Sequence, residues 1–161
     1  VIAIRNEAGL AVVPIRLITN GSLVDRTRVQ AVLKRLAAAG GEVWFKFDAG
    51  TAADIARING IDVHPETHAR RLALCASLCP TWVQTCMFRW DGELPSREQM
   101  GAYMGMLELA GLAALKGVYL YGIARPSFQP EAMHLQRLTV DELDSLACRL
   151  REKGLAVTVS P

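Results

Sequence analysis

The sequence predicts an α/β protein built on a parallel sheet, and three observations carry that prediction. Strand-like apolar runs alternate with amphipathic helical stretches four or five times along the 161 residues. No hairpin signal joins neighbouring strands, so each crossover is expected to be right-handed and the strands parallel. The clearest strand, Glu42-Val43-Trp44-Phe45-Lys46-Phe47-Asp48-Ala49-Gly50, alternates with period two: Val43, Phe45 and Phe47 point one way, Trp44, Lys46 and Asp48 the other. An open α/β sheet and part of a (β/α) barrel both satisfy this pattern. Residues 1–161 read as a single domain.

The elements follow in order. Residues 1–9 read as the end of a helix stopped by Gly9, and further residues are expected upstream. Ile15-Arg16-Leu17-Ile18-Thr19 reads as a short buried strand, with Asn20-Gly21-Ser22 as the turn after it. Residues 25–39 form a helix with Val29, Val32, Leu33 and Leu36 as its apolar stripe and a solvated basic face. Gly40-Gly41 ends it before the central strand. Thr51 caps a short helix to Ile58, closed by Asn59-Gly60. Pro65 suits the first turn of a helix to about Leu78, with Ala69, Leu72, Ala73 and Ala76 on its packed face. Residues 81–89 read as one strand, with Trp82, Gln84, Cys86 and Phe88 sharing a face. Asp91-Gly92 is a turn. Ser96 opens a helix to about Ala110, apolar at Met100, Met104, Leu107 and Leu109. Residues 115–123 are a strand, 124–127 its polar exit and 128–138 a loop. Thr139 and Glu142 form a capping box for a last helix ending at Lys153-Gly154, and 155–159 are the last strand.

Composition narrows the function. Apolar residues make up 51% of the chain, enough for a true core, and the formal charge of +2 argues against a strong phosphate-binding surface. No secretion signal or membrane span is legible, so the cytoplasm is the expected location and no membrane partner is expected. Four cysteines in a domain of this size do not make a disulfide scaffold. Cys75, Cys79, Cys86 and Cys148 are read as buried, inert thiols, with a metal site from the first three as the alternative. His64, His68 and His134 have no zinc-like spacing, and His64 and His68 are expected to expose their rings at a helix start. Walker, dinucleotide and serine-hydrolase motifs are absent. Trp44, Trp82 and Trp90 lie too far apart in sequence to read as a stacking platform.

Ligands of parallel α/β sheets bind at the carboxyl ends of the strands. The polar groups there are Asn20, Lys46, Asp48, Gln84, Arg89 and Arg125. Lys46 is placed to pair with Asp48 or to neutralise a ligand carboxylate, and a structural Lys–Asp pair is the alternative.

Several segments together resemble the later two-thirds of a radical S-adenosylmethionine domain, in particular iron–sulfur oxidoreductases related to the tRNA wyosine-forming enzymes. They are Leu17-Ile18-Thr19-Asn20-Gly21-Ser22-Leu23, Val43 through Gly50, Ile58-Asn59-Gly60, and Tyr119-Leu120-Tyr121-Gly122-Ile123-Ala124-Arg125-Pro126. The resemblance implies a partial (β/α)6 barrel, here truncated before its third strand. It implies S-adenosylmethionine and a [4Fe-4S] cluster as cofactors, and generation of a 5′-deoxyadenosyl radical. By position it assigns cofactor binding to Asn20, Lys46, Asp48, Gln84 and Arg125, and a catalytic place to Lys46 and Asp48. The family's Cys-x-x-x-Cys-x-x-Cys loop and its Gly-Gly-Glu-like motif are missing, and Cys75-x-x-x-Cys79 stands in the wrong unit. The cluster ligands are therefore expected outside this chain, which alone is expected to be inactive. The substrate is open, RNA included. The first strand, left as a hydrophobic edge, is expected to be covered by an upstream segment, a partner chain or a second copy. The alternatives are a non-catalytic binding or regulatory module of the same fold, and an unrelated barrel enzyme acting on a small phosphorylated metabolite.

Overall fold

The computed structural model describes residues 1–128 and 130–161. The elements are α1 (Ile2–Glu7), β1 (Arg16–Thr19), α2 (Thr27–Ala38), β2 (Glu42–Lys46), α3 (Ala52–Asn59), α4 (Pro65–Leu78), β3 (Thr81–Cys86), β4 (Arg89–Trp90), α5 (Arg97–Ala110), β5 (Gly117–Tyr121), β6 (Leu135–Gln136), α6 (Val140–Arg151) and β7 (Val157–Ser160). Five strands form one sheet in the order β1-β2-β3-β5-β7, and β4 and β6 form a separate ribbon. Every pairing within the five-stranded sheet is parallel.

The expectation of a barrel truncated before its third strand is corrected here. The chain builds a continuous sheet of five parallel strands by itself, as in a largely complete α/β barrel. The reason is the run of crossovers, each of which sets the next long strand directly beside the last, so the sheet grows without a gap.

Local chemistry fixes the helix ends. Ser96 with Gln99, and Thr139 with Glu142, form complete capping boxes. Thr51 accepts from the Asp54 amide at the start of α3, and Gly60 ends that helix in the left-handed region at φ 64°. Pro65 opens α4, where its missing N–H costs nothing.

The two faces of the sheet have different fates. Val43 and Phe45 of β2, Val83 of β3, and Val118 and Leu120 of β5 are buried. They join Leu33, Leu72, Leu107, Leu143 and Leu150 from the helices in one core. Glu42, Trp44, Lys46, Trp82, Gln84, Cys86, Tyr119 and Tyr121 are the alternate residues, and all are half-buried. The helices therefore cover one face and leave the other open.

Some expectations fail for local reasons. β1 is at the sheet edge and is not buried: Ile18 is 56% exposed. Val32 drops out of the α2 stripe and is 55% exposed. On α5, Tyr103 takes the buried place expected of Leu109, which is exposed. The strand read as 81–89 breaks after Cys86. Arg89–Trp90 turns away to pair antiparallel with Leu135–Gln136, inside a stretch read as loop; of that stretch, Gln129 lies outside the described residues. The Asp91-Gly92 turn permits the break, with φ of 50° and 85°, both in the left-handed region.

Candidate functional site

The open face is stratified along the strand axis. At the amino end Glu42 is a hub. Its Oε1 accepts from Arg16 Nε at 2.8 Å and Trp44 Nε1 at 3.0 Å, and its Oε2 accepts from Trp82 Nε1 at 3.2 Å. Burial pushes its carboxyl up, but these hydrogen bonds and the Arg16 charge outweigh burial and hold it below the usual range. Above it, Trp44 and Trp82 are register partners. Each lies against Tyr119, with ring centroids 4.4 Å and 4.5 Å away. The Arg16 guanidinium sits over Trp44 at 5.1 Å. These rings floor the open face. Trp44 and Trp82, far apart in sequence, are brought together across two strands by register.

At the carboxyl end the floor gives way to polar groups. Lys46 and Gln84 are register partners, as are Gln84 and Tyr119, and Cys86 and Tyr121. Among the described residues, the Lys46 ammonium makes no ion pair. The expected Lys46–Asp48 pair does not form. Asp48 turns instead to the end of β3 and the end of α3: its Oδ1 accepts from the Cys86 amide at 2.8 Å and its Oδ2 from Asn59 Nδ2 at 3.0 Å. It is 7% exposed. Asp48 and Asn59 thus pin the β2–α3 connection to the end of β3. Asn59, read as a helix stop and as part of a resembling segment, is a positioning residue of this rim. Burial, then the Asp48 carboxylate, push the Cys86 thiol up to about 12, with Lys46 pulling slightly the other way. Burial likewise raises the Tyr121 hydroxyl, helped by Asp48 and Cys86.

The other rim residues lie further out. Asn20 is exposed, and its Oδ1 accepts from the Ser22 amide at 3.1 Å, forming an Asx turn after β1. Arg125 is exposed beyond β5. Arg89 leaves the rim with β4 and pairs with Glu142. The structure therefore brings Lys46, Gln84 and Asp48 to adjacent places and leaves Asn20 and Arg125 at the periphery.

Beside this rim, a cavity of about 340 Å³ opens between the loops after β2 and β3, with Asp48, Asp54, Arg57, Trp90 and Glu93 among its walls. Asp54 binds Thr51 Oγ1, Arg57 and Gln99 Nε2 at 2.7–2.8 Å. The Arg57 guanidinium lies 4.7 Å over the Trp90 ring, and Trp90 stacks on His134 at 5.3 Å.

Two expectations about soft ligands are corrected. His68 is buried, stacked on Phe47 with centroids 4.6 Å apart, and its Nε2 meets the Lys46 carbonyl at 3.2 Å. Burial lowers its pKa. His64 alone exposes its ring. Cys148 is exposed on α6 rather than core. Cys75 and Cys79 are buried in the helix-covered core while Cys86 sits on the open face. Among the described residues, no group of three or more His, Cys, Asp or Glu is arranged to hold a metal ion. The cysteines present thus do not fit a [4Fe-4S] cluster. Lys46 is a half-buried residue at a strand end, and among the described residues it forms no ion pair. Among the described residues no helix is long and apolar enough to cross a membrane.

No protein-family model matches the chain, and no curated protein matches it. Solved structures do. A domain of pyruvate-formate lyase-activating enzyme from Bacteroides vulgatus superposes with a TM-score of 0.63 at 13% identity, over 99% of this chain and 89% of that one. A radical SAM methyltransferase from Sphaerobacter thermophilus gives 0.57 at 18% identity, over 91% of this chain and 40% of the other. Streptococcus suis SuiB gives 0.62 at 5% identity, over 94% and 35%. The chain therefore spans most of the first protein and well under half of the other two. The chain shares the fold of these three proteins, one of which is a radical SAM methyltransferase, and none of them is named as a wyosine-forming enzyme.

Proposed function

We propose that the open sheet face is the S-adenosylmethionine-binding portion of a radical S-adenosylmethionine iron–sulfur oxidoreductase, acting on a substrate that the fold does not name. The observation that carries this reading is the Lys46 ammonium, unpaired by any acid among the described residues and set beside Gln84 at the carboxyl end of the sheet. When bound, S-adenosylmethionine supplies the 5′-deoxyadenosyl group for hydrogen abstraction. The cluster ligands belong outside this chain.

The chain's part is binding and orientation. Lys46 neutralises the methionine carboxylate, in a half-buried setting where a charge-assisted bond is stronger than in water. Gln84, with one amide donor pair and one carbonyl, fixes the orientation of the polar groups beside it. Asp48 acts through its grip on the Cys86 amide, holding the two loops that frame the rim; Asn20 and Arg125 close the periphery. The tilted rings of Trp44, Tyr119 and Trp82 form a floor that keeps water from below. The β1 edge, with Leu17 and Ile18 exposed, is covered by another segment, a partner chain or a second copy. Light scattering tests this last point, and a clean monomer at high concentration contradicts it.

Titration calorimetry with S-adenosylmethionine tests the main reading. Binding is expected, weakened by about tenfold or more in Lys46→Ala, the scale of losing a hydrogen bond to a charged group. Equal affinity in both proteins, or no heat in either, rejects it.

A further inference from the structure

The cavity beside the rim has a charge balance that the proposed cofactor site does not explain. Of its acidic walls, Asp54 is paired with Arg57 at 2.8 Å, and Asp91 meets His134 at 2.6 Å. Among the described residues, Asp48 and Glu93 form no ion pair. Asp48 is the telling one. It is almost fully buried, and it accepts from the Cys86 backbone amide and the neutral Asn59 side-chain amide. A carboxylate taken out of water without a counter-charge is costly, and a cation arriving beside it relieves that cost. The remaining wall is apolar, with Leu94 and Met100 among it. The volume is at the small end of ligand pockets.

We propose that this cavity is a ligand site for a small organic cation, an ammonium carried on an apolar or aromatic body. The ammonium lies between Asp48 and Glu93, and the body packs against Leu94 and Met100. The cavity adjoins the rim that holds Lys46 and shares Asp48 and Cys86 with it, and competition with S-adenosylmethionine separates this site from the cofactor reading.

The test follows the amide NMR spectrum of the full chain during titration with phenethylammonium, and then with phenethyl alcohol and phenylacetate. The expected result is saturable shifts at Gly50, Glu93 and Gln99 with phenethylammonium, at least threefold weaker with the alcohol and absent with phenylacetate. Glu93→Gln, at an exposed position, is expected to weaken phenethylammonium by about threefold, the scale of a solvent-exposed ion pair. Leu94→Trp, which fills the mouth from a partly exposed position, is expected to abolish the shifts while leaving the remaining spectrum dispersed. Three results overturn the proposal: no shifts with phenethylammonium, equal shifts with all three probes, or shifts that survive Leu94→Trp. A fourth is displacement of phenethylammonium by S-adenosylmethionine, which carries its own ammonium and sulfonium. That would make the cavity part of the cofactor site.

Discussion

The two faces of the sheet are made by the same five strands, residue by alternate residue, and they have opposite chemistry. Val43, Phe45, Val83, Val118 and Leu120 face the helices and are fully excluded from water. Glu42, Trp44, Lys46, Trp82, Gln84 and Tyr119 face away and remain half-buried. A half-buried face rich in aromatic and ionisable groups is expensive to keep unless something binds there. The covered face specifies the fold and the open face is free to carry function.

Substitutions on the covered face should break the fold first. Phe45→Ala removes a ring packed against His68 and is expected to lower stability by about 3–5 kcal/mol, measured by chemical denaturation. Its counterpart on the open face, Tyr119→Phe, is expected to stay within about 0.5 kcal/mol. A comparable loss in both variants would erase the distinction between the faces.

A smaller effect is expected where the rim meets the helices. A Cβ at Gly50 would collide with the backbone of Ala102 and Tyr103 on α5. Gly50→Ala should cost about 1–3 kcal/mol, the range for overpacking, and should move α5 away from the loop. Thermal melting reads the first effect, and amide shifts of α5 read the second.

His68 sharpens the comparison through pH. Burial holds its folded pKa below the ordinary 6.5, so the unfolded chain takes up the proton first as pH falls. The resulting stability is complete above about 6.5 and is lost as pH drops from there through the lowered folded value. Melting temperature should fall across that window more steeply in the native protein than in His68→Gln. Parallel curves would mean that His68 is not buried against Phe47 as described. The smallest stability change belongs to Lys46→Ala, within about 0.5 kcal/mol by denaturation, although it is expected to affect ligand binding most.

Much of the fold was legible because it rests on local signals. The Thr139–Glu142 capping box, Pro65 at the head of α4 and the alternation through Val43, Phe45 and Phe47 depend on neighbours in sequence, and the structure places them as read. What the sequence did not disclose depends on register and on edges. Glu42 becomes a hub only once β1 and β3 flank β2, which brings Arg16 and Trp82 to its two oxygens. The Trp44–Tyr119–Trp82 stack needs the same information across three strands. His68 is buried because α4 lies under Phe47, a contact across 21 positions that no periodicity encodes. The contiguity of the sheet was likewise a matter of strand neighbours, and the truncated barrel read from missing motifs gave way to it. At the rim, Lys46 and Gln84 were recognisable as polar residues closing apolar strands. Asp48 was recognised too, but its bonds to Cys86 and Asn59, which make it a clasp between loops, were not.

The chain's three tyrosines divide between the two environments, and that permits the most direct measurement. Tyr119 and Tyr121 lie on the open face, while Tyr103 is buried under the covered one, bonded to Thr85 at 2.7 Å. With tyrosine rings labelled with carbon-13, titration with S-adenosylmethionine should shift the Tyr121 signals most, those of Tyr119 less, and leave Tyr103 in place. Movement of Tyr103 alone, or no movement of any ring at saturating ligand, would contradict the assignment of the open face as the binding surface.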